Sequence, residues 1–269
     1  YTVLSAMQIG DSSDPKWSYM TLSAEQTLEL HRCAALLGAG DLPAGWDIVP
    51  GSGQRRVAFN REMQLYYKEF PVRSPLERLK ALLLGSRAAR TRRHNDALLY
   101  AGIGAPTSLA WGRLKDGKEY IFTRESVGKD VAFWLQISLA HRRGESLVLR
   151  RRLLESLGVF IGRIHATGFV PGDLQARDVQ ARLCEDRFQF ALTNNENTTM
   201  QRPPPGKKLV QNLVQLNLLP PADLSRTDRM RFFVAWRRQL RDLSDIETKV
   251  IAAEAYHEAM RRMYDTGKL

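Results

Sequence analysis

The amino-acid pattern predicts an α+β fold, with a small strand-rich first half and a larger helical second half. Three observations carry that expectation. Residues 46–70 hold three short runs of strand-forming side chains set between turn residues. Residues 130–167 and 207–265 repeat apolar side chains at helical spacing. Strands and helices are segregated rather than alternating, which disfavours a doubly wound parallel sheet.

The elements follow in order. Residues 1–20 are polar and mixed, without a period, and read as an arm. Ser23 with Gln26 three residues on is a capping-box pattern. Leu28, Leu30, Ala34 and Leu37 then give a helix over 23–37, ended by Gly38 and Gly40. WDIV, RRVAF and MQLYYKEF are the three strands, the first two joined by the glycine-bearing turn PGSG at 50–53. Residues 75–100 are helical with a break at Gly85 and Ser86, and AGIGAP (101–106) is a turn. SLAWGRL and KEYIFTRE form a hairpin about Asp116–Gly117, a favourable turn pair. Helices follow in VAFWLQISLAH and SLVLRRRLLESLGVFIGRIHATG. Next come the loop VPGDLQARD, strands VQARLC and FQFALT, a Pro-rich stretch, and an Arg-rich helical remainder. The two halves meet near Glu125–Lys129.

Composition narrows the class. The 269 residues are 43% hydrophobic and 26% charged, as in a soluble globular protein with a substantial core. No apolar run approaches the ~18 residues of a membrane-spanning helix, and residues 1–20 lack a signal-peptide pattern. The chain opens on Tyr1 rather than Met, which reads as a trimmed start. Cys33 and Cys184 are too few for a disulfide framework and read as reduced thiols of a cytoplasmic protein. Forty Lys and Arg against 29 Asp and Glu give +11, a surface that attracts phosphorylated sugars, acidic lipid headgroups or nucleic acid. No zinc finger or aromatic RNA-binding motif is present, so anionic lipid or glycolipid ranks above nucleic acid.

The chemistry centres on HATGFVPGDLQARDV, residues 165–179. An apolar helix ends at Gly168, a short loop carries Asp173, Asp178 follows five residues later, and a strand hairpin comes next. That is the spacing of a kinase catalytic loop, Asp-Leu-x-x-x-Asn. There the Asp accepts the substrate hydroxyl proton and the Asn binds metal.

The surrounding series is Lys68-Glu69-Phe70, Ser86-Arg87-Ala88, Gly102-Ile103 with Pro106, His165 with Gly168-Phe169, Pro171-Gly172-Asp173-Leu174, and KKLVQNLVQLN at 207–217. In that order, over roughly residues 46–240, it resembles the lipopolysaccharide kinase family, the Kdo and heptose kinases of the inner core. The resemblance implies a two-lobed protein-kinase-like fold with a small antiparallel-sheet N-lobe and a helical C-lobe. Its divisions would be 1–45, an N-terminal extension with a helix; 46–128, the N-lobe; and 129–269, the C-lobe. It implies ATP and Mg²⁺ as cofactors. Lys68 would hold phosphates under a turn containing Gly51 and Gly53, Asp173 would serve the acceptor hydroxyl, and Asp178 with Asn194 would hold Mg²⁺.

The series also departs from the family pattern. Pro171 replaces a His that supports the loop, Asp178 replaces the loop Asn, and Asn194 replaces the metal Asp. The helix glutamate that pairs with the lysine falls near Thr91. One reading is an exchange that keeps one carboxylate and one amide at the metal. The other is decay of a site under no catalytic demand. Glu196, on the same face of an extended segment as Asn194, is a candidate replacement acid.

Two functions follow. The first is ATP-dependent phosphorylation of a sugar hydroxyl of the lipopolysaccharide inner core. It would work on the cytoplasmic side, on an anionic glycolipid or phosphorylated sugar, with peripheral contact to inner-membrane lipid. The second is a pseudokinase, a binding or regulatory protein of the cell envelope with a protein partner. His165 reads as a loop-supporting core residue, and FFVAW (232–236) as helix packing. RAARTRR (87–93), HRR (141–143) and LRRR (149–152) read as solvated basic faces that together meet phosphorylated glycolipid or the inner leaflet.

Overall fold

The computed structural model describes residues 22–49, 56–71, 85–124, 128–204 and 206–267. Helix α1 (Ala24–Ala39) starts on the capping box expected at Ser23 and Gln26. It runs past Gly38 and stops at Gly40, whose φ of 106° is left-handed, so Gly40 alone is the cap. Five strands then form one antiparallel sheet in the order β1-β2-β3-β5-β4: β1 Trp46–Ile48, β2 Val57–Asn60, β3 Leu65–Phe70, β4 Thr107–Arg113 and β5 Glu119–Arg124.

Strand alternation gives this sheet two working faces. Tyr67, Tyr120 and Phe122 pack with Leu30, Ala34 and Leu37 of α1 on one side. Phe70 and Ile121 pack with Ala88 of α2 (Arg87–Tyr100) on the other. The first half is therefore a sheet between two helices. Helix α2 also reaches the second half, because Leu98 near its far end belongs to the large core.

That large core is helical. Helix α3 (Gly144–Ala166) lies against α5 (Arg226–Arg237) at unusually short range. A Cβ at Gly158 would fall 2.3 Å from the Phe232 carbonyl oxygen, and one at Gly162 2.7 Å from that of Trp236. Any larger residue at either position would force the two helices apart. Helices α4 (Gly206–Leu216) and α6 (Asp245–Asp265) complete the layer. A three-stranded sheet, β6 (Lys129–Asp130), β8 (Val179–Cys184) and β9 (Arg187–Leu192), lies beside it in the order β6-β8-β9. β7 (Phe169–Val170) pairs with β10 (Thr199–Met200).

One charge assignment needs correcting. Arg150, in the run read as solvated, is fully buried. Its Nε and Nη2 each lie 3.1 Å from Asp228 Oδ2. Nη1 donates to the carbonyls of Leu135 and Leu139, and Nη2 also to that of Asp223. Burial raises the Asp228 carboxyl, but its bonds to Arg150 and Ser225 outweigh that and hold it below the usual range. The guanidinium thus ties the π-helical turn Trp134–Ser138 to the start of α5.

Candidate active site

Helix α3 ends where Gly168 adopts φ 87°, turning the chain into β7 and then into the loop 171–178. That loop has little backbone structure of its own, so side chains must hold it. His165, fully buried on the last turn of α3, begins the support. Trp236 Nε1 donates to its Nδ1 at 3.0 Å, so the ring proton sits on Nε2, 3.1 Å from Asn212 Oδ1. Asn212 Nδ2 in turn donates to the Pro171 carbonyl at 2.8 Å. Burial pushes the His165 pKa down to about 4, so the imidazole stays neutral and the relay keeps its direction.

Three residues further along α4, Gln215 acts on the same loop. Its Nε2 donates to Asp173 Oδ1 at 2.6 Å, and its Oε1 accepts from the Leu174 N–H at 2.9 Å. A second glutamine, Gln175, donates from its side chain to Asp173 Oδ2 and from its backbone to Asp178 Oδ2, both at 3.0 Å. The two carboxylates are therefore linked through one residue. Thr193 donates from both N and Oγ1 to the Asp178 carbonyl, at 2.9 and 3.1 Å, which brings the following residue alongside. The Asn194 side chain accordingly lies near enough to the Asp178 carboxylate to help hold its charge. Burial pushes the Asp178 pKa up, as does the Asp173 charge, against the opposing Gln175 N–H, Arg177 and Asn194.

Asp173, Asp178 and Asn194 thus come together as one cluster. It offers two carboxylates and an amide, with Arg177 nearby. Such a set fits a hard divalent cation, which takes oxygen ligands and is held by one or two carboxylates plus phosphate oxygens. No cluster of three or more His, Cys, Asp or Glu suited to a metal occurs among the described residues.

Lys68 lies on the other half of the molecule. It sits mid-strand in β3, opposite Val57 and Ile121, half-buried, on the face that Phe70 and Ile121 turn toward α2. Gly51 and Gly53 lie outside the described residues. Thr91, where a helix acid was sought, is buried and gives its hydroxyl to the Arg87 carbonyl. Glu196, the candidate replacement acid, is engaged by Arg87. Its two carboxylate oxygens lie 3.1 and 3.0 Å from Arg87 Nη2. Arg87 itself, read as part of a solvated face, has a side chain only 12% exposed.

Sequence reading missed Asn212, Gln215 and Arg87. The first two carried a usable signal: they are polar residues three apart on a helix whose neighbours Leu209, Leu213 and Leu216 are buried. Among the described residues no helix is long and apolar enough to cross a membrane.

No protein-family profile and no curated protein matches the sequence. Solved structures do. WaaP, determined in complex with acyl carrier protein, is 18% identical, with a TM-score of 0.56 over 80% of this chain and 88% of that one. The bifunctional kinase-methyltransferase WbdD is 17% identical, with a TM-score of 0.46 over 78% of this chain and 50% of that one. The strand-rich half, the helical half and the loop between α3 and β8 therefore make up a two-lobed, protein-kinase-like fold, shared with WaaP and of the kind the lipopolysaccharide-kinase resemblance implied.

Proposed function

We propose that this chain transfers a phosphoryl group from ATP to a sugar hydroxyl of the lipopolysaccharide inner core. The observation that carries the reading is the Asp173–Asp178–Asn194 cluster on a loop fixed by α4 within a kinase-like fold. Magnesium, when bound, supplies charge neutralisation of the phosphates. Asp178 and Asn194 would hold it, and Lys68 would hold phosphate oxygens from the sheet above. Asp173, oriented by Gln215 and Gln175, would accept the hydrogen bond of the acceptor hydroxyl and aim its oxygen. The test is incubation with MgATP and de-phosphorylated inner-core oligosaccharide, read by mass for gain of one phosphoryl group. Product formation that stops in Asp173→Asn supports the proposal. Absence of product together with absence of nucleotide binding contradicts it.

Two departures favour a second reading, a pseudokinase: the amide at 194 and the lack of an acid at 91. Ligand that binds the folded state raises its melting temperature. A shift with ATP that requires Mg²⁺ supports the enzyme, and no shift with or without metal supports the scaffold.

The partner is inferred from a separate feature. A cavity of about 370 Å³ opens between α4, α5 and α6. Met230, Phe233 and Ala253 make its walls apolar, and Arg226, Arg229 and Lys249 make it basic. WaaP was solved with acyl carrier protein. An acidic carrier presenting an acyl chain suits the same combination here. Binding of an acylated carrier that exceeds that of the bare carrier, and that Phe233→Asp removes, supports this. Equal binding of the two forms contradicts it.

A further inference from the structure

Helix α2 begins in a way that opposes its own stability. Arg87 occupies the first helical position after the Ser86 cap, and no acid lies in the first turn. A cation at the positive end of a helix is unfavourable. Acids supplied from elsewhere compensate. Glu119 of β5 accepts from the Ala88 N–H at 3.1 Å, and Glu196, arriving from the far lobe, pairs with Arg87. The pair is buried, with 12% and 5% of the two side chains exposed.

The same helix grips the residues around Glu196 at two further points. His94 Nδ1 lies 2.7 Å from the Asn195 carbonyl oxygen, and Asn195 Nδ2 donates to Asn95 Oδ1 at 2.8 Å. Asn95 continues to Ser108 Oγ at 3.2 Å, so the chain of bonds ends on β4. Arg87 also lies over the ring of Phe70, 5.4 Å from its centre, two residues beyond Lys68 on β3. One guanidinium therefore touches the strand that carries Lys68 and the segment that carries Asn194.

We propose that Arg87 is a positioning residue: through Glu196 it holds segment 193–198, and with it Asn194, beside Asp178, and so ties the strand-rich half to the helical half. The polarity is reversed from the acid-on-helix pattern expected at position 91, with the cation on the helix and the acid on the loop. The kinetic half of this inference rests on the phosphotransfer reading, but the structural half does not.

The experiment uses the full chain as wild type, Arg87→Lys, Arg87→Met, Glu196→Gln and the Arg87→Met/Glu196→Gln double variant. Hydrogen exchange is followed in peptides spanning 87–100 and 193–198, with 144–166 as internal reference, alongside steady-state turnover. Arg87→Met and Glu196→Gln should each speed exchange of 193–198 and leave 144–166 unchanged, while Arg87→Lys stays close to wild type. Turnover should fall about 100-fold in Arg87→Met, with the KM for ATP changing less than about threefold. The losses in the double variant should be less than additive, because the ion pair shared by Arg87 and Glu196 is removed only once. Unchanged exchange at 193–198 in Glu196→Gln, which keeps the side-chain shape, overturns the proposal, as do additive losses in the double variant. If the wild type turns over no acceptor, the phosphotransfer reading fails separately, and exchange still decides what Arg87 does.

Discussion

Acidification tests the buried relay beneath the candidate catalytic loop. In the folded chain His165 is neutral, with its pKa pushed from 6.5 down to about 4 by complete burial. In the unfolded chain it protonates near 6.5. Between these values the unfolded state binds the extra proton. The stability contributed by His165 is therefore fully present above 6.5 and is lost as pH falls from 6.5 towards 4. The displacement corresponds to about 2 kcal/mol lost by pH 5 and about 3 kcal/mol by pH 4. The assay is urea unfolding of wild type and His165→Gln at intervals from pH 7 to pH 4. Other groups titrate in both proteins, including His94, whose pKa burial also lowers. The difference between the two curves isolates His165. Wild type should lose stability faster than His165→Gln by those amounts. Parallel curves would mean that His165 already carries its proton when folded. The Trp236→His165→Asn212→Pro171 direction of bonding would then be wrong.

Three further predictions concern the same framework. Gln215→Leu strips partners from Asp173 Oδ1 and the Leu174 N–H, and should cost about 1–3 kcal/mol in urea while lowering turnover more than ATP affinity; loss of ATP affinity alone would place Gln215 elsewhere in the mechanism. Arg150→Met leaves Asp228 buried without its partner, and should cost about 3–5 kcal/mol, much of it recovered in Arg150→Met/Asp228→Leu; a variant as stable as wild type would contradict the hub assigned to Arg150. Asp178→Asn should abolish the Mg²⁺-dependent part of the ATP thermal shift, and Asn194→Asp should enlarge it. Because burial raises the Asp178 carboxyl, metal binding in the wild type should strengthen as pH rises through that pKa, and a pH-independent affinity would remove Asp178 from the ligand set.

Most of the architecture was legible because its elements carry their own local signals. Ser23 with Gln26 marked the start of α1, and the break read at Gly85 and Ser86 is where α2 begins. Runs of strand-forming residues between turn residues marked the three strands over 46–70 and the hairpin about Asp116–Gly117. The two-residue strands β6, β7 and β10 were not legible, since two residues cannot display a period of two. The basic runs misled for a different reason. A buried arginine and a solvated one look alike until the acid that meets it is located. That acid lies 78 residues away for Arg150 and 109 for Arg87. Within the candidate site, loop spacing singled out Asp173 and Asp178, which the structure links through Gln175. Asn212 and Gln215 depend on which face of α4 meets the loop, which only packing decides.

On the proposed function, nucleotide and metal bind between Lys68 of the strand-rich half and Asp173, Asp178 and Asn194 of the helical half. Its most direct test is paramagnetic relaxation by Mn²⁺ with ATP, read by NMR across the whole chain. Strong broadening is expected around 173–178 and 194, weaker broadening along β3 near 68, and none around Phe233. Broadening centred on the cavity between α4 and α6, or none with Mn²⁺ and ATP together, would contradict it.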